Sequence, residues 1–76
     1  MPFTPAQLEE LKVLSQYNQP TSMTGIKIHH TASTETIAAA KRLHEKGLID
    51  QEDGGYLTTL GCEAVEKLQG LLSLLA

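Results

Sequence analysis

The sequence predicts a small, mainly α-helical domain carrying one β-hairpin, and three observations lead there. Residues suited to cap a helix precede three separate runs of helically spaced apolar side chains. One Asp-Gly-Gly run, Asp53–Gly55, lies between two short apolar pairs. The chain has only 76 residues, room for a single domain over residues 1–76. A domain of this size buries only about 60% of its unfolded surface, so a partner subunit would add stability.

The first helix starts at Thr4-Pro5-Ala6-Gln7. Thr4 suits the cap, Pro5 the first helical position, and Gln7 completes a capping box. Leu8, Leu11 and Leu14 then define an apolar face, and Pro20 closes the segment after Asn18-Gln19. Thr21–Ala32 admits two readings. Met23, Ile26 and His30 would share one face of a short helix, whereas Ile26 and Ile28 alternate with Lys27 and His29 as in a strand. The order of the elements favours the helix.

Ser33 or Thr34 caps the next helix, with Glu35 in its first turn where the helix dipole favours a negative charge. Ile37, Ala40, Leu43 and His44 follow at helical spacing, and Ala38–Ala40 permit close helix packing. Gly47 after Lys46 is a C-cap, with Leu48 packing back. Leu48-Ile49 and Tyr56-Leu57 flank the hairpin turn, where both glycines accept positive φ. Thr58 or Thr59 caps a last helix with Leu60, Ala64, Leu68, Leu71 and Leu75 along one side, widened by Val65 and Leu72.

Composition excludes several classes of function. Cys62 is the only cysteine, so no intramolecular disulfide forms and a reducing, cytoplasmic compartment is expected. The N-terminus lacks the basic-then-apolar pattern of a signal peptide, and no apolar run is long enough for a membrane span. Net charge is −3, but its distribution is uneven. Residues 27–46 hold Lys27, Lys41, Arg42 and Lys46 against Glu35 and Glu45, a local +2, together with all three histidines. The remainder carries −5. A basic window in an acidic chain is still an electrostatic footprint, because phosphates respond most to nearby charge.

The run Lys41-Arg42-Leu43-His44-Glu45-Lys46-Gly47-Leu48-Ile49, the short hairpin, and Tyr56-Leu57-Thr58-Thr59-Leu60-Gly61 together resemble the MarR-type and related bacterial winged helix-turn-helix families. The close match covers about residues 34–66. Over nearly its whole length the chain is also similar to a small uncharacterised bacterial family of stand-alone proteins taken to bind DNA. The resemblance implies a three-helix core, a two-stranded wing and a C-terminal helix. It also implies a small transcriptional regulator that binds double-stranded DNA. The helix at about 33–46 would be its recognition helix, placed in the major groove. Carried over by position, Ser33, Thr34, Thr36 and Ala38 would meet bases, while Lys27, Lys41, Arg42 and Lys46 would meet phosphates. Those four cations should then form one contiguous patch.

Other features favour a rival, a protein-interaction module on the same scaffold. The reading face has no Arg, Asn or Gln for bidentate base contacts, and the wing carries Asp50, Glu52 and Asp53. Leu68, Leu71, Leu72 and Leu75 form an apolar excess at the C-terminus that marks an interface, and terminal helices of the resembling families pair as homodimers.

Neither a metal nor a cofactor is expected. Adjacent His29 and His30 diverge on helix or strand, and no Cys-x-x-Cys or His-Glu-x-x-His occurs. Cys62 reads as a small buried hydrophobe rather than a redox sensor. No phosphate loop or nucleophile elbow is present, so no enzyme is expected.

Overall fold

The computed structural model describes residues 2–76 as three helices and a three-stranded antiparallel sheet. The order is α1 (Pro5–Leu14), β1 (Gly25–Lys27), α2 (Thr34–Glu45), β2 (Ile49–Gln51), β3 (Gly54–Leu57) and α3 (Thr59–Leu75). The architecture is therefore mixed α and β, with one helix fewer and one strand more than the sequence suggested.

The helix ends follow local chemistry. Thr4 accepts from the Gln7 amide at 3.1 Å while the Thr4 amide donates to the Gln7 side chain at 3.0 Å, completing the capping box. Ser33 caps α2 and Thr58 caps α3, each accepting an amide three residues on. Gly47, at φ +80, ends α2 with two bonds: its own amide to the His44 carbonyl and the Leu48 amide to the Leu43 carbonyl, both 3.0 Å. These bonds satisfy carbonyls that the helix end would otherwise leave open.

The expected helix within Thr21–Ala32 is absent, and the two-residue alternation decides the segment. Gly25–Lys27 pairs antiparallel with β3, Ile26 opposite Gly55 and Lys27 opposite Gly54, and the sheet order is β1-β3-β2. Ile28, just beyond the strand, is buried, and its amide donates to the Asp53 carbonyl at 2.7 Å. A three-residue strand has no stability of its own; the hairpin supplies its hydrogen-bond partners. Gly54 admits the approach, since a Cβ there would lie 2.6 Å from the Ile26 carbonyl oxygen. The register between β2 and β3 shifts beside Asp50, whose carboxylate accepts from the Tyr56 amide at 2.9 Å.

The core joins Val13, Leu14 and Tyr17 from α1 and its exit to Ala39, Ala40 and Leu43 of α2, with Ile28, Ile49, Leu57 and Val65 closing it. On α1 the buried face is Glu10, Val13 and Leu14, continued by Tyr17 at its exit; of the expected Leu8, Leu11 and Leu14 only Leu14 is enclosed, and Leu8 and Leu11 are half-buried. This face brings Tyr17 under the sheet, where its hydroxyl donates to the Gly55 carbonyl at 3.0 Å. Ala39 and Ala40 allow α2 to pack closely on α1. Gly61 starts α3 so close to the Leu48 carbonyl that a Cβ would overlap it. No helix of the described residues is long and apolar enough to cross a membrane.

Candidate nucleic-acid interface

Alpha helix 2 buries one face and leaves the opposite one open. Thr34, Lys41 and Glu45 are exposed on that outer stripe and Ala38 is half-buried among them. Ser33, as cap, is committed to the helix end: its hydroxyl accepts from the Thr36 amide at 3.2 Å and lies 2.8 Å from the Thr36 hydroxyl. Thr36 is half-buried and turned inward, lining a depression with Gln16, Ile28 and Ala32. Thr34 is exposed, its hydroxyl donating to the Glu35 carboxylate at 3.1 Å.

The four cations do not form one patch. Arg42 and Lys46 both turn to Glu10 on α1: Arg42 Nε donates to Glu10 Oε2 at 3.2 Å, and Lys46 Nζ hydrogen-bonds Glu10 Oε1. A second Arg42 nitrogen reaches the Ala6 carbonyl at 3.2 Å. Burial pushes the Glu10 carboxyl upward, but Lys46 and Arg42 outweigh it and hold its pKa below the ordinary value. Those two cations therefore serve the α1–α2 contact.

Lys27 and Lys41 lie on the other flank of α2. Together with His29, His30 and Ile37 they line a concavity of about 280 Å³ that ends at Glu52 and Asp53 of the hairpin. Lys27 is hydrogen-bonded to Asp53, which lowers the Asp53 pKa. Among the described residues Lys41 has no carboxylate within 4.0 Å. It is the one cation of the basic window with its charge uncommitted.

His29 and His30 are the residues that sequence reasoning set aside. Both are exposed in the turn entering α2, and both line the Lys27–Lys41 concavity. Their position immediately before the Ser33 cap is the signal that could have placed them there. At the other end of the molecule, Leu68 is half-buried against the core, while Leu71, Leu72 and Leu75 stay substantially exposed.

Fold and side chains define a small α/β domain whose exposed α2 face is polar and near neutral, Lys41 being offset by Glu45 and Lys27 paired with Asp53, beside an acidic hairpin. Among the described residues no cluster of three or more His, Cys, Asp or Glu side chains is suited to hold a metal. The chain belongs to a family of unknown function (DUF5669), whose model matches residues 1–76. No curated protein and no solved structure matches it.

Proposed function

We propose that the chain is a winged-helix DNA-binding domain, acting as a small transcriptional regulator, with α2 as the helix presented to the major groove. The observation that supports this most is the arrangement around α2. It packs on α1 through its alanines, runs through a glycine cap into a hairpin, and has β1 added to that hairpin in the order β1-β3-β2. Its outer stripe is left open, with Lys41 uncommitted and Lys27, His29 and His30 alongside.

The contact set is accordingly narrower than the sequence alone implies. Thr34 and Lys41 face outward with Ala38 half-buried between them and Glu45 opposing phosphate on the same stripe, and Lys27 joins them if phosphate competes with Asp53. Arg42 and Lys46 would act through the α1–α2 contact. Two phosphate-facing cations give weak, largely sequence-independent affinity with a salt slope of about −2.

The test is binding of a random-sequence DNA duplex across a salt series. Lys41→Ala should weaken binding and reduce the slope by about 1. No binding by the wild type at low salt would overturn the proposal. A second reading, a protein-interaction module, is favoured by one observation: Glu10 removes two of the four cations from any phosphate surface.

A further inference from the structure

Alpha helix 3 carries two apolar stripes, and only one belongs to the core. Gly61, Val65 and Leu68 form the inner stripe, with Gly61 and Val65 buried and Leu68 half-buried against the core. Gln69 marks the end of the docking, its amide nitrogen donating to the carbonyls of Tyr17 at 3.1 Å and Asn18 at 2.6 Å. Leu60, Ala64, Leu71 and Leu75 form the outer stripe, roughly a quarter turn away, its three leucines exposed and Ala64 half-buried at the edge of the core. Leu60 is 53% exposed, Leu71 51% and Leu75 73%, and Leu72 and Leu74 beside them are 48% and 84% exposed. The outer stripe is therefore open through its leucines at both ends of the helix, at Leu60 over the folded core and at Leu71 and Leu75 beyond it, with Ala64 half-buried between them.

The spacing of that face is symmetric. Leu60, Ala64, Leu71 and Leu75 are separated by four, seven and four residues, so the pattern reads the same in both directions. Two copies laid antiparallel about the point between Lys67 and Leu68 bring Leu60 against Leu75 and Ala64 against Leu71 of the other copy. A small residue then faces a large one at each inner position, as close helix packing requires. Charge permits the same overlay. Residues 68–76 carry no charge, and the two Lys67 side chains near the axis each have Glu63 one turn back on the same helix.

We infer that this face is the interface of an antiparallel homodimer, with a second copy of the chain as its occupant. The seam is about 22 Å long and about one helix diameter, 10 Å, across. That is less than the roughly 800 Å² per partner of a standard stable interface, so the dimer is reversible rather than obligate. The exposed fractions of Leu60, Leu71 and Leu75 still amount to on the order of two leucine side chains per copy, an apolar surface large enough to favour association. The inference is independent of DNA binding, and its readout involves no nucleic acid.

Sedimentation equilibrium from about 10 μM to about 1 mM tests it, with dissociation expected within that range. Leu71→Glu, at a half-exposed site, should raise the dissociation constant roughly tenfold or more while circular dichroism stays unchanged. Register is read by cysteine cross-linking in a Cys62→Ser background. The Leu60→Cys/Leu75→Cys chain should form a disulfide-linked dimer under mild oxidation, whereas either single cysteine should not. Within one chain the two positions lie about 22 Å apart along the helix and cannot bridge. Cross-linking by the single variants would mean parallel pairing and overturn the register. A monomer at the highest concentration, with no cross-link in the double variant, would overturn the dimer. If Leu71→Glu fails to fold, the cysteine pair decides alone.

Discussion

Glu10 on α1 and Arg42 on α2 meet at 3.2 Å, 32 residues apart in sequence, and Lys46 joins the same carboxylate from one turn further along α2. The carboxylate is nearly enclosed, with a side-chain exposure of 9%, while Arg42 and Lys46 remain partly in water. The contact therefore lies between a surface ion pair, worth little, and a fully buried one, which is costly to break. Glu10→Gln should destabilise the fold by about 1–2 kcal/mol, less than a buried pair because solvent screens both cations.

The same contact sets an acid dependence. The folded Glu10 carboxyl titrates below its ordinary value of 4.5. Its contribution is therefore present above that pH and is lost as pH falls through the lower folded value. Urea unfolding of wild type and Glu10→Gln should differ at pH 7, and the difference should shrink steadily below pH 4.5. A difference that stays constant into acid would show that the carboxylate charge contributes nothing.

Tyr17 supplies the opposite sign. Burial first, and then the charge of Asp50, raise its phenol from 10.0 to about 12. The neutral phenol is the form the fold holds, donating to the Gly55 carbonyl. Its stabilisation is complete below pH 10 and is lost as pH rises towards 12. Tyr17→Phe should cost about 0.5–1.5 kcal/mol near neutrality for the lost hydrogen bond. The gap between variant and wild type should close in alkali. Lysine titration affects both chains alike, so the comparison isolates Tyr17.

These contacts mark where the sequence was legible. The caps at Thr4, Ser33, Thr58 and Gly47 were, because each depends on residues within three or four positions and on rules of the isolated helix end. The Asp-Gly-Gly hairpin was legible for the same reason. Strand β1 was legible only as one of two readings: the alternation of Ile26 and Ile28 admitted it, but the close approach of the β1 backbone at Gly54, which decides it, is not recorded in any local propensity. The basic window was legible as composition and misleading as a surface. Whether Arg42 points to solvent or to Glu10 depends on how α1 is rotated, and that depends on Tyr17 and Val13 entering the core in place of Leu8 and Leu11. The outer stripe of α3 was visible as one broad apolar face; only the packing of Val65 and Gly61 separates the enclosed part from the open part.

Two glycines of α3 should respond oppositely to the same substitution. Gly61 has no room, since a Cβ would overlap the Leu48 carbonyl oxygen and approach Leu57 at 3.1 Å. The obstacle is backbone at the end of α2, and it cannot yield without moving the start of β2. Gly61→Ala should therefore destabilise by about 1–3 kcal/mol or more, the cost of forcing extra volume into a packed site. Gly70 has nothing within 4 Å of the same atom and lies in regular helix. Gly70→Ala should stabilise by up to about 1 kcal/mol through helix propensity, a rise in Tm of about 4–8 °C for a domain of this size. Thermal unfolding of the two variants beside the wild type checks both signs at once. If Gly70→Ala instead lowers Tm, another surface packs against residue 70 closely enough to leave no room for the added methyl. Repeating the melt at high dilution would then separate an effect on association, which dilution removes, from an effect on the helix itself, which it does not.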